Sequence, residues 1–242
     1  MKIKVYINIL KYFGSSINSK RMKTKFKQHL VLLLTAFLFA LTSFQLLHED
    51  VMVGLKNGDK APLADEAMKG IDGVQYSLNK LKKEKGLVVV FSCNSCPFVV
   101  GSESFQGWEV QYNDLNKMAK ELGFGFVLVN SNEAKRSGDD SFDEMVSRAK
   151  SKAYTMPYLV DVQSKLANAF GAKTTPHVFV FDAAMTLTYQ GAIDNTTDTK
   201  RSTDIPYLKN ALQEMASNQT VKEGTTPPRG CSIKRVVKEH KH

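Results

Sequence analysis

Two cysteines separated by an asparagine and a serine, Cys93-Asn94-Ser95-Cys96, follow directly on an apolar run in the segment VVVFSCNSCPF at residues 88–98. Thiols at this spacing can close into a disulfide and reopen, which is the chemistry of thiol–disulfide exchange. The run before them is mostly β-branched and fits a buried parallel strand. Pro97 suits the first position of a helix, where a missing N–H sacrifices no hydrogen bond. A cysteine at a helix start faces unpaired backbone N–H groups and the positive end of the helix dipole. Both favour thiolate over thiol.

Other readings of the pair are a zinc site and inert packing. Zinc needs four ligands, and the one further cysteine is Cys231. Cys231 lies beyond the last expected helix, in TTPPRGCSIK, as either a distant resolving thiol or a packed structural one. Thr175-Pro176 opens a strand, and an X-Pro bond is the place where a cis peptide costs little. His177 follows as a candidate proton partner or metal ligand, set against a packed or solvated side chain. With Cys93 and Cys96 it would form a thiolate–imidazole set that suits copper, so metal delivery is an alternative function.

The elements that must position these residues read as follows. Residues 74–78 alternate weakly as an edge strand, 79–86 form a charged turn or short helix, and 87–91 form a buried strand. Helical spacing of Trp108, Tyr112, Leu115, Ala119 and Leu122 predicts a helix over 102–122, with Gly123 at its C-cap. A second buried strand covers 124–129. Ser141 and Glu144 make a capping box for a helix to Tyr154. A short extended piece at 158–160, a helix over 162–170, strands at 177–181 and 186–191 and a helix at 204–217 complete the order. Alternation early in the chain gives a parallel core, and the later hairpin adds antiparallel strands.

Charge separates the two ends of the chain. Of a net +9, the first 29 residues supply eight basic groups and no acidic one, leaving 25 basic against 24 acidic residues. No basic stripe remains for nucleic acid. Residues 30–44 follow as an uncharged apolar run, too short for a comfortable membrane span, so residues 1–47 read as a basic leader with a signal peptide or signal anchor. The expected location is periplasmic, or outward-facing and tethered to the cytoplasmic membrane through the N-terminal segment alone. Residues 48–224 form one domain by size, and 225–242 a tail carrying Cys231. Three cysteines are too few for a disulfide scaffold and read as reactive groups.

The segments GDKAP, VVVFSCNSCPFV, VLVNSN, MPYLVDVQSKLANAFGAKTTPHVFVFD, YQGAID and RGCSIK resemble the peroxiredoxin-like redoxins of the thioredoxin-fold superfamily, over most of residues 58–234. The resemblance implies an α/β thioredoxin-like fold, a central mixed sheet flanked by helices with peroxiredoxin-type additions, and no bound cofactor. It implies a thiol-dependent oxidoreductase acting on protein or small-molecule disulfides or hydroperoxides and recharged by an upstream thiol reductant. In its register Cys96 is the nucleophile and Val99 fills the ordinary resolving position, which leaves Cys93 to resolve. Thr175 and a cis Pro176 would form the substrate groove.

Two departures bear on the activity. Ser95 stands where the family pattern has histidine, and Ala192 where it tends to have arginine. A peroxiredoxin-type Pro-x-x-x-Thr-x-x-Cys loop ending at Cys96 would need proline at Val89 and threonine at Cys93. A peroxidase with Cys96 as peroxidatic residue is therefore the alternative, and disulfide exchange the primary expectation.

Overall fold

The computed structural model describes residues 54–236, so the basic leader and apolar run lie outside the described residues, as do the last six. A small hairpin of β1 (Met68–Lys69) and β2 (Gln75–Tyr76) leads into α1 (Leu78–Leu81). The core strands β3 (Gly86–Ser92) and β4 (Phe124–Asn130) are buried along their whole length, which is why neither alternates in sequence. With β5 (Tyr158–Val160), β7 (His177–Asp182) and β8 (Leu187–Gly191) they form a five-stranded sheet in the order β5-β4-β3-β7-β8. β3, β4 and β5 run parallel; β7 is antiparallel to β3, with Phe91 opposite His177, and β8 is antiparallel to β7.

Each strand sends alternate side chains to two apolar layers. Val88, Val90, Phe126, Leu128, Val178 and Val180 pack with Tyr112, Leu115 and Ala119 of α3 (Tyr112–Glu121), Met145 of α4 (Phe142–Ser151) and Leu208 and Leu212 of α6 (Tyr207–Ala216). Leu87, Val89, Phe91, Val127, Phe179 and Phe181 face the other way, onto Leu78 and onto Leu166 and Phe170 of α5 (Lys165–Phe170). Phe91, Phe170 and Phe179 meet edge to face, with centroids 5.2–5.6 Å apart. Each fully buried side chain of this size contributes about 1.5–3 kcal/mol.

The helix expected over 102–122 is shortened at its start, residues 102–107 being non-helical. α2 (Pro97–Val100) ends at Gly101, a 3-10 turn covers Trp108–Gln111, and α3 starts only at Tyr112. Gly101 (φ 98°) and Gly107 (φ 81°) lie back to back: a Cβ on Gly107 would fall 2.4 Å from the Gly101 nitrogen. This approach turns the chain where a helix would carry on. The helix expected over 162–170 is likewise a 3-10 turn followed by α5, because Gln163 and Ser164 take positive φ. Ser141 caps α4 as expected, its hydroxyl accepting from Glu144 N–H. The last helix begins at Tyr207, after Pro206.

The described part of the tail is stitched into the domain. Thr225 bridges Gln190, and the Thr226 hydroxyl hydrogen-bonds with Tyr189 and accepts from Ala192 N–H. β9 (Cys231–Ser232) then pairs antiparallel with β6 (Thr174–Thr175), placing Cys231 opposite Thr175.

Candidate active site

β3 ends at Ser92, and the next residues turn through Cys93-Asn94-Ser95 to Cys96, the N-cap of α2. The Cys96 carbonyl accepts the first helical bonds, from Val99 and Val100 N–H. Pro97 takes the first helical position, where its missing N–H costs nothing. Cys93 and Cys96 are buried, Cys231 only partly so, and all three are free thiols.

The three sulfurs and one peptide make the site. The Thr175–Pro176 bond is cis. Thr175 touches both thiols of the pair: its hydroxyl is 3.1 Å from Cys93 Sγ, and its carbonyl oxygen is 3.1 Å from Cys96 Sγ, from which it accepts when Cys96 is protonated. The Cys231 N–H donates to Cys96 Sγ from across the strand pair, at 3.3 Å. Cys96 is thus enclosed by Cys93, Thr175 and the C-terminal strand.

These contacts polarise the sulfurs in opposite directions. The Cys93 thiol, donating to Cys96, draws the Cys96 pKa down to about 5, helped by the thiol and N–H of Cys231 and the N–H of Phe98 and opposed by burial. Cys93 is pushed well above its ordinary value, first by that same bond to Cys96 and then by burial. Burial, with the bond to Cys96, raises Cys231 to about 11. The contacts thus favour a thiolate at Cys96 and thiols at Cys93 and Cys231 near neutral pH. Among the described residues, no arginine or lysine side chain hydrogen-bonds to it.

Asp140, which sequence reasoning passed over, anchors the redox turn. It is fully buried and accepts from Asn94 N–H (2.7 Å), Ser95 Oγ (3.2 Å), Asn130 Nδ2 (2.8 Å) and Asn132 Nδ2 (3.0 Å). Tyr158 donates to Asn94 Oδ1. Asn132 Oδ1 in turn accepts from Lys234 N–H, so one polar network holds both the Cys-x-x-Cys turn and the tail. The sequence signal was Asn130 at the end of a buried strand, followed by Asn132, Asp139 and Asp140 in the next loop.

His177 does not join the thiols. It shares the strand face of Phe179, whose ring lies 4.5 Å away, whereas Cys93 and Cys96 pack in the layer of Val178 and Val180. Its Nδ1 accepts from Lys173 N–H, and burial lowers its pKa to about 3, keeping it neutral. The expectation of His177 as proton partner or copper ligand is corrected: strand alternation puts it on the far side of the sheet. Among the described residues no group of three metal-ligating side chains converges. Two arginines on the surrounding elements are engaged away from the thiols: Arg136 donates to the carbonyls of Asn130 and Asp140, and Arg148 pairs with Glu109 at 2.6 Å.

Comparison with known proteins agrees with this geometry. No curated protein matches the chain. A conserved protein from Geobacillus kaustophilus is similar, at 30% identity with a TM-score of 0.66, covering 76% of this chain and 94% of that one. A hypothetical protein from Sinorhizobium meliloti is 27% identical, with a TM-score of 0.64, over 76% of this chain and 97% of its own. The redoxin family profile matches residues 56–212. A Cys-x-x-Cys turn, a cis-proline and a five-stranded mixed sheet in one body thus carry a family signature over well over half the sequence, and the chain belongs to the redoxin family of the thioredoxin-fold superfamily.

Proposed function

We propose that the protein is an exported thiol–disulfide oxidoreductase in which Cys96 is the nucleophile and Cys93 resolves the mixed disulfide. The observation that carries the reading is the Cys93–Cys96 pair at a helix start against the cis Thr175–Pro176 peptide, where the donors around Cys96 Sγ draw its pKa down to about 5 and raise that of Cys93. Cys96 Sγ attacks one sulfur of a substrate disulfide, that S–S bond breaks, and the other substrate sulfur departs as thiolate. Once Cys96 is bound in the mixed disulfide, the charge that kept Cys93 protonated is gone. Cys93 then releases its proton to the departing group and attacks Cys96 Sγ, leaving a Cys93–Cys96 disulfide. An external thiol reductant restores the dithiol. Thr175 and Pro176 form the wall along which the substrate sulfur lies.

A hydroperoxide is served less well. Val89 and Cys93 occupy the positions where a peroxiredoxin-type loop would carry proline and threonine, and Arg136 and Arg148 are engaged elsewhere. Without the proline, threonine and arginine of a peroxiredoxin-type loop to polarise an O–O bond, transition-state stabilisation is lost that a disulfide does not require. Export rests on the basic leader and apolar run before the domain. The deciding experiment is stopped-flow mixing of reduced protein with a small disulfide and, separately, with hydrogen peroxide. Faster Cys96 oxidation by the disulfide is expected, and the reverse order would make the peroxidase reading the better one.

A further inference from the structure

The C-terminal segment crosses the mouth of the site as a strap fixed at both ends. Upstream, Thr225 and Thr226 are tied to Gln190, Tyr189 and Ala192. Downstream, Ile233 is buried, and its N–H donates to Lys173 O. Arg235 donates to Asn168 Oδ1 (2.7 Å) and Ala172 O (2.6 Å). Between these anchors the strap lies on Thr175, whose carbonyl oxygen is 3.1 Å from Cys96 Sγ. Cys231 faces Thr175 in antiparallel register, and its N–H reaches Cys96 Sγ. Gly230 fits only without a side chain, because a Cβ there would fall 2.2 Å from Thr175 O at φ 158°. Strand pairing with Thr174–Thr175 offers backbone hydrogen bonds to any extended chain, and the protein's own tail has taken them.

We propose that this strap is a self-docked peptide, which a protein substrate must displace from the Thr174–Thr175 edge, and that its Cys231 is a third exchanging thiol that competes with Cys93 for Cys96. The proposal rests on Cys96 being the nucleophile. After Cys96 has formed a mixed disulfide, Cys231 loses its proton to the departing substrate thiolate and attacks Cys96 Sγ. The Cys96–substrate bond breaks and a Cys96–Cys231 disulfide forms. The substrate disulfide has gained two electrons and the protein dithiol has lost two. The product locks the strap over the site until Cys93 or an external thiol opens it, so the oxidised protein is closed to further protein substrate.

The reduced full-length protein is mixed with one equivalent of dithiobis(nitrobenzoate), and its disulfides are then mapped by mass. In Cys93→Ser, release of two nitrobenzenethiolates per chain with a Cys96–Cys231 linkage is expected. Arrest after one, with a lasting adduct on Cys96, overturns the role of Cys231. If Cys96→Ser keeps the fast reaction, the nucleophile itself was misassigned and this inference falls with it. Displacement is tested separately with insulin as the protein disulfide. Gly230→Ala pushes the strap from Thr175, and freeing a site that is open only a small fraction of the time raises the rate of insulin reduction roughly ten-fold. The small disulfide should gain less, since it needs the sulfur and not the edge. Arg235→Ala, which adds no bulk, serves the same purpose should Gly230→Ala not fold. An insulin rate that is unchanged or lower in the folded variants overturns displacement.

Discussion

Cys96 differs from an ordinary cysteine because its neighbours donate to it, and that difference is measurable as a pH profile. With a folded pKa of about 5, its alkylation by iodoacetamide should rise through pH 5 and level off, whereas an ordinary thiol is still climbing at pH 8. Rates followed by mass over pH 4–9 test this, and a curve still rising at pH 8 would count against the donor set around Cys96. The same shift is a stability statement. Between pH 5 and 9 the unfolded chain holds a proton on Cys96 that the folded chain has released, so stability gained there grows with pH and is lost as pH falls through 5. Above 9 the raised values of Cys93 and Cys231 reverse the sign. Urea midpoints of the reduced wild type and of Cys96→Ser should therefore draw apart between pH 5.5 and 8. Removing both resolving candidates, in Cys93→Ser/Cys231→Ser, should leave a mixed disulfide on Cys96 that no intramolecular thiol can open.

The turn that carries the cysteines depends on the loop after β4 as much as on its own residues. Asp140 satisfies four donors inside the protein, among them the backbone N–H of Asn94. Asp140→Ala leaves the buried Asn132 amide without that acceptor and releases the partly buried Asn94–Ser95 turn, which should cost about 1–3 kcal/mol in a urea titration and slow the reaction of Cys96 with small disulfides. A stable protein with unchanged Cys96 kinetics would show that the network is dispensable. The Ser141 N-cap was legible because it is local chemistry between residues three apart, although the Ser141 N–H goes to Gly138 O and leaves the reciprocal half of the expected capping box unformed. The break between α2 and α3 was not, because it comes from the backs of Gly101 and Gly107 meeting, and helical spacing of Trp108 and Tyr112 survives the break.

Across the whole domain, the site sits where the core sheet's central strand ends, so its precision is tied to packing far from sulfur. Phe91 joins Phe170 and Phe179 on the face opposite the thiols, one residue before the end of β3. Phe91→Ala should cost about 3–5 kcal/mol in denaturant and broaden the reactivity of Cys96, while a conservative Phe91→Leu keeps both near wild type. An alanine variant of wild-type stability would mean that this layer does not hold the strand. For the full chain, a reporter fused after Phe44 should be active only outside the cytoplasm, since the positive leader stays inside. Activity restricted to the cytoplasm would remove the export reading.

Sequence alone determined what is local or repetitive: two buried strands from their apolar runs, the Cys-x-x-Cys turn before a proline, the strand opening at His177 and the resemblance to the redoxin family. It also marked Thr175-Pro176, whose cis geometry the fold then bears out. Tertiary structure decided the rest, because each remaining question concerned residues far apart in the chain. Strand alternation turned His177 away from the thiols. Antiparallel pairing brought Cys231, 135 residues from Cys96, to hydrogen-bonding distance of its sulfur. Burial made Asp140 the anchor of a turn 45 or more residues upstream. No spacing rule carries such information, since contacts between distant segments are set by how the two apolar layers close around the sheet.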